Sequence, residues 1–175
     1  MSSSVLMKTS MFTGMDKVIK GIVSLLLLTS SALTQADDIA DNIEPFTTDS
    51  FAAIKAQYEG EPFFVSLWSV DCPPCRVELD MLGELVAVDP DLSLVLISTD
   101  QISEREYANE ILEDAGLDSI TSWMFADSFA ERLRFTIDPQ WFGELPRSYY
   151  YDADHNSRAH SGIMTRDMLD EFIQP

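Results

Sequence analysis

The sequence predicts one α/β domain over residues 37–175, with helices covering a mixed central sheet. Three observations carry that expectation. Pro62-Phe63-Phe64-Val65-Ser66-Leu67-Trp68 is an almost continuous apolar run rich in aromatics, as a strand buried on both faces requires. Behind Pro73, which suits the first turn of a helix, Val77, Met81, Leu82, Leu85 and Val86 recur at helical spacing while Glu78, Asp80 and Glu84 take other positions. Leu92-Ser93-Leu94-Val95-Leu96-Ile97 is a second apolar run, and strand, helix and strand in that order imply a right-handed parallel crossover.

The remaining elements fall in place around this unit. Residues 43–46 can form a short first strand, and 50–58 a helix ending near Gly60. The helix opened by Pro73 stops at Asp89-Pro90, because the residue before a proline is pushed out of the helical region. After the strand at 92–97, residues 104–115 supply a helix, 122–126 a further central strand and 128–135 a short helix. Asp138-Pro139-Gln140-Trp141-Phe142-Gly143 is a turn carrying two large aromatics, which either cover the core or join a substrate surface. Residues 149–151 and 159–163 can close the sheet as a hairpin around 152–156, and 166–173 form the last helix.

Composition bounds the partners. With 10 Phe and 3 Trp in 175 residues, the chain can bury one good core but hardly two. Removing Lys8, Lys17, Lys20 and Asp16 from 11 basic and 30 acidic residues leaves 8 and 29, a net charge of −21 beyond the leader. Such a surface repels nucleic acid and anionic lipid, and it either keeps the domain solvated or steers a basic partner.

The first 36 residues read as a secretory signal peptide. Lys17 and Lys20 precede the apolar centre Ile22-Val23-Ser24-Leu25-Leu26-Leu27-Leu28, and small polar residues lead to Thr34-Gln35-Ala36. The expected product is a soluble, periplasmic or otherwise exported domain cut after Ala36, with Met15 as an alternative start. The apolar centre is shorter than the ~20 residues of a spanning helix. An uncleaved N-terminal membrane anchor is the competing expectation.

Export changes how the two cysteines read. Both lie in Cys72-Pro73-Pro74-Cys75, and in an oxidising compartment so close a pair can form a disulfide. A structural staple explains little, because a bridge closing so short a loop removes little chain entropy. A zinc site would want four ligands, and the only histidines, His155 and His160, lie far along the chain. Thiol–disulfide exchange fits better. Cys72 falls where a strand gives way to a helix N terminus, whose unpaired N–H groups favour the attacking thiolate.

Leu67-Trp68-Ser69-Val70-Asp71-Cys72-Pro73-Pro74-Cys75-Arg76-Val77-Glu78 resembles the active-site segment of the TlpA/ResA-like exported oxidoreductases of the thioredoxin superfamily. Ile97-Ser98-Thr99-Asp100 resembles that family's strand end before an inserted helix, and Leu145-Pro146-Arg147-Ser148-Tyr149-Tyr150-Tyr151-Asp152 the segment around its cis-proline. The resemblance covers most of residues 44–173. It implies a thioredoxin-like fold and a reductase of disulfides in another exported protein, regenerated by a separate redox partner, with no cofactor and no metal. Residue by residue, it implies that Cys72 is the nucleophile and Cys75 the resolving thiol. It further implies that Pro146 is cis and faces the disulfide, that the backbone of Leu145 pairs with substrate, that Trp68 borders the site, and that Glu78 exchanges protons with Cys75.

Two positions depart from the family. Asp71 stands where a large residue usually precedes the first cysteine, and a carboxylate beside the thiol disfavours thiolate, which makes Asp71 a second candidate for tuning it. Ser66 occupies the strand position where ordinary thioredoxins keep a buried Asp. Two other function classes stay open at this point. One is a Cu(I) metallochaperone using both thiolates, since Cu(I) is a soft ion. The other is a partner-binding module with a vestigial Cys pair.

Overall fold

The computed structural model describes residues 42–172. The signal peptide expected at 1–36 lies outside the described residues, as do 37–41 and the last three residues. All described residues belong to one compact unit, Ala40–Pro175. Six strands form a single sheet in the order β1-β4-β3-β2-β5-β6, where β1 is Ile43–Phe46, β2 Phe63–Trp68, β3 Leu94–Gln101, β4 Ser122–Phe125, β5 Arg147–Tyr151 and β6 Ser157–Ser161. The helices are α1 Ser50–Gln57, α2 Pro73–Val88, α3 Arg105–Asp114, α4 Ala130–Ile137 and α5 Arg166–Phe172, with a 3-10 turn Ile102–Glu104 before α3. The sheet is mixed: β1, β4, β3 and β2 run parallel, while β5 is antiparallel to β2 and β6 to β5.

Strand alternation sorts the core into two layers. Val65, Leu67, Val95 and Ile97 pack with Phe51 and Ile54 of α1 and Leu133 and Ile137 of α4. Phe64, Trp68, Leu94 and Leu96 pack on the other face with Leu79 and Leu82 of α2, Ile111 and Leu112 of α3 and Leu169 of α5. Every residue of β2 is buried, because both faces are covered and both edges paired.

One glycine is required by packing. A Cβ on Gly83, midway along α2, would strike the backbone carbonyl of Ala115 at the end of α3, so the two helices meet through that bare Cα.

The structure corrects several sequence expectations. Val77, expected on the apolar face of α2, is 55% exposed, and Glu78, expected off it, is fully buried. The exchange is possible because Glu78 finds polar partners inside, as described below. The helix expected at 128–135 runs over Ala130–Ile137. The Asp127 carboxylate accepts the N–H of Phe129 at 2.9 Å and holds the preceding residues as a turn, so the helix starts later and continues until Ile137 is buried. The hairpin strands expected at 149–151 and 159–163 are β5 and β6. Asp152 sets their register: its carboxylate accepts the Asn156 N–H at 2.8 Å, and its own N–H donates to the Asn156 carbonyl, which places Tyr151 opposite Ser157. In the 138–143 turn the two aromatics part, with Trp141 buried and Phe142 90% exposed.

Candidate functional site

β2 ends at Trp68, and four residues later the chain enters α2 through Cys72. Cys72 is the N-cap, with extended backbone, and its Sγ accepts the N–H of Cys75 at 3.3 Å. Its carbonyl accepts the N–H groups of Cys75 and Arg76 at 2.9 and 3.3 Å. Pro73 and Pro74 occupy the first positions of the helix, where a missing N–H costs nothing. Cys72 and Cys75 are joined as a disulfide, with Cα atoms 5.2 Å apart. The sulfur of Cys72 thus sits at the positive end of a sixteen-residue helix, where negative charge on sulfur is favoured. Cys72 is 8% exposed and Cys75 1%, so the first cysteine is the one an incoming group can reach.

Pro146 stands at the same end of the sheet. In the β2–β5 ladder Leu67 is opposite Arg147, which brings the residue before Arg147 level with Trp68. The Leu145–Pro146 bond is cis, and the Pro146 carbonyl accepts the Gly162 N–H at 2.9 Å. Leu145 is half-buried and packs against both core layers. Arg147 secures the loop leading to it: the guanidinium lies 3.4 Å from Asp138 and 3.5 Å from Glu144 and donates to Ser161 Oγ at 2.7 Å.

Glu78 lies one turn beyond Cys75 on α2, the spacing at which helical side chains become neighbours. It is 0% exposed. Oε1 accepts the hydroxyls of Ser66 at 2.8 Å and Ser148 at 2.9 Å, and Oε2 accepts the backbone N–H of Met164 at 2.9 Å. A buried carboxyl is costly unless paired, and three donors from three distant parts of the chain pair this one. Ser148 was not a sequence candidate. Its signal was a small polar residue set in an aromatic strand directly across from Ser66, another polar residue inside an apolar strand.

The other candidates separate. Trp68 is 1% exposed and packs in the α2-side core, so it supports the site from beneath rather than lining a substrate surface. Asp71 is exposed beside Cys72. Among the described residues, no cluster of three or more His, Cys, Asp or Glu side chains could hold a metal ion.

A mixed sheet between two helical layers, with a Cys-Pro-Pro-Cys helix N terminus and a cis-proline at the same sheet end, defines a thioredoxin-like fold. Solved structures agree. The chain resembles a secreted disulfide oxidoreductase of Mycobacterium tuberculosis homologous to E. coli DsbE, with 22% identity over 66% of this chain and 82% of that one, at TM-score 0.54. A DsbF homologue from Corynebacterium diphtheriae is also 22% identical, over 67% and 73% of the two chains, at TM-score 0.54. A thiol:disulfide interchange protein of the thioredoxin family from Chlorobium tepidum is 22% identical over 68% and 81%, at TM-score 0.51. No protein-family model matches the chain, and no curated protein does. At this identity the likeness shows the fold; the chemistry rests on the residues.

Proposed function

We propose that this protein is an exported thiol–disulfide oxidoreductase of the TlpA/ResA-like kind, reducing disulfides in another exported protein. The observation that carries the reading is the Cys72–Cys75 pair, with Cys72 capping α2 and the outer sulfur the more accessible. In the reduced protein the Cys72 thiolate attacks one sulfur of the substrate disulfide. The substrate S–S bond breaks, a Cys72–substrate disulfide forms, and one substrate thiolate leaves and takes a proton. Cys75 then loses its proton and attacks Cys72 Sγ, which releases the second substrate thiol and closes the Cys72–Cys75 disulfide. Two electrons pass to the substrate, and a dithiol partner must return them.

The remaining residues have supporting parts in this reading. The carboxyl of Glu78, one turn along α2 from Cys75, takes the proton from Cys75 in this reading, which its complete burial supports. The backbone at Leu145, just before Pro146 and the start of β5, pairs with the substrate chain. The leader sequence supports export, and among the described residues no helix is long and apolar enough to cross a membrane.

The test is turnover of a protein disulfide with reductant supplied. Cys72→Ser should abolish it, and Cys75→Ser should accumulate a mixed disulfide on Cys72. Normal turnover by either variant would remove the two-thiol mechanism, and tight Cu(I) binding without exchange would favour the metallochaperone. Amino-terminal sequencing of the mature protein should begin near residue 37, and an intact leader on a membrane-bound protein would sink the soluble, exported reading.

A further inference from the structure

Asp100 sits at the end of β3, two residues past the last β2–β3 pair, Trp68 with Ser98. The β3–β4 register shifts between Ser98 and Gln101, an irregularity of the kind that re-aims a side chain. The Asp100 carboxylate is turned to the segment that leaves β2. Oδ1 accepts the Ser69 hydroxyl at 2.9 Å, and Oδ2 accepts the Val70 N–H at 2.8 Å and the Ser98 hydroxyl at 2.7 Å. The Asp100 N–H donates to Ser98 Oγ at 3.1 Å, so the group is itself braced.

The segment so held leads to one place. The Ser69 carbonyl accepts the N–H of Cys72 at 3.2 Å, and Cys72 Sγ in turn accepts the N–H of Cys75. From the other side Arg76 reaches the Val70 carbonyl at 3.5 Å while donating to the Tyr107 hydroxyl at 3.0 Å. Val70 is therefore gripped at its N–H by a carboxylate and at its carbonyl by a guanidinium, two residues before the outer sulfur.

We propose that Asp100 is a positioning residue for Cys72: its bonds to Ser69 and Val70, braced by the third to Ser98, fix residues 69 and 70 and thereby hold the sulfur in the N-cap geometry that favours thiolate. The inference rests on the redox reading above. A strong charge-assisted bond to the Val70 N–H is what a hinge next to a reactive group needs, because looseness of a few tenths of an ångström there moves the sulfur off the helix amides. Besides Asp100, this end of the sheet carries Asp71 before α2, Arg76 and Glu78 on the first turns of α2 with Asp80 and Glu84 further along it, Tyr107 against Arg76, and Arg147 after Pro146, so the charge of Asp100 must be separated from its grip.

Two substitutions make that separation. Asp100→Asn keeps an acceptor oxygen for the Val70 N–H and removes the charge, whereas Asp100→Ala removes both. Cys72 alkylation by iodoacetamide is followed against pH in the reduced full-length protein carrying Cys75→Ser. The Cys72–Cys75 disulfide is equilibrated with glutathione in the two-cysteine protein. Asp100→Ala should titrate at higher pH than Asp100→Asn, react about threefold more slowly near neutrality and hold its disulfide more firmly against glutathione. Asp100→Asn should stay close to the parent. A folded Asp100→Ala protein with the same profile as Asp100→Asn, or a lower one, would overturn the proposal. If Asp100→Ala does not fold, Ser69→Ala removes one of the three bonds and should shift the profile the same way by less, and no shift there also overturns it. Should the parent protein fail to exchange with glutathione at all, it is the redox reading that falls, and the alkylation profiles still judge Asp100.

Discussion

Ser66 and Ser148 face each other across β2 and β5, and both hydroxyls donate to the same oxygen of Glu78. The pair turns two strands that are otherwise aromatic and aliphatic into a polar seat for one carboxyl group, with Met164 N–H completing it from the chain before α5. The carboxyl thus comes from α2 and its hydroxyl donors from the two strands.

Glu78→Gln should therefore cost stability as well as chemistry. Whichever way the amide turns, a buried donor loses its acceptor: the Met164 N–H in one orientation, the two serine hydroxyl hydrogens in the other. A loss of roughly 1–3 kcal/mol in urea unfolding is expected. If Glu78 accepts the Cys75 proton, the Cys72 mixed disulfide should also persist longer, by on the order of tenfold. Unchanged mixed-disulfide lifetimes in a destabilised Glu78→Gln protein would leave Glu78 a purely structural group.

Gly83→Ala tests the contact between α2 and α3 without touching the cysteines. The new methyl meets backbone, the Ala115 carbonyl, which cannot swing aside as a side chain would. The helices must separate, at a cost on the order of 1–3 kcal/mol. The urea midpoint should fall while the alkylation rate of Cys72 in folded protein holds.

Alkaline titration should find the tyrosines of β5. Burial pushes the Tyr149 hydroxyl well above its usual value, with the Arg147 contact opposing and the Asp138 carboxylate reinforcing the rise. Burial, then the Asp138 charge, pushes Tyr151 up to about 12. Both groups are neutral in the fold over a range where the unfolded chain has lost the proton. Their contribution is complete below about pH 10, the unfolded value, and is lost as pH rises from there through the folded values. Urea midpoints should fall from about pH 10 upward, and Tyr151→Phe should make that fall shallower. An equally steep fall in Tyr151→Phe would place its origin elsewhere.

The β2–α2–β3 unit was legible because its signals are local: a doubly buried strand, a proline-opened helix and a second apolar run. So was the Cys72–Cys75 pair. Periodicity read Val77 and Glu78 the wrong way round, since it assigns faces by polarity and cannot see that positions 66, 148 and 164 bring donors to one carboxyl, whereas the family resemblance implied a buried Glu78. The start of α4 was misplaced for a similar reason, the turn being fixed by the Asp127 side chain. Asp100 lay inside a quoted motif, but its grip on Val70 depends on a strand irregularity that no residue pattern announces.

Asp71 is the charge nearest to Cys72 along the chain, and it is exposed. At an effective dielectric of ~20, two unit charges ~6 Å apart repel by roughly 3 kcal/mol, but solvent around an exposed carboxylate screens most of that. If what survives reaches Cys72, it acts against the helix N terminus, destabilising the thiolate and with it the reduced protein. Asp71→Asn keeps the shape and removes the charge, so Cys72 should titrate at lower pH and the disulfide should become more oxidising. The shift should grow as ionic strength is lowered, which a change of loop geometry would not do. Alkylation rate against pH at two salt concentrations, in both proteins, decides it. An unchanged or higher Cys72 titration in Asp71→Asn would show that Asp71 does not tune the thiol, while leaving Cys72 and Cys75 as the exchange pair.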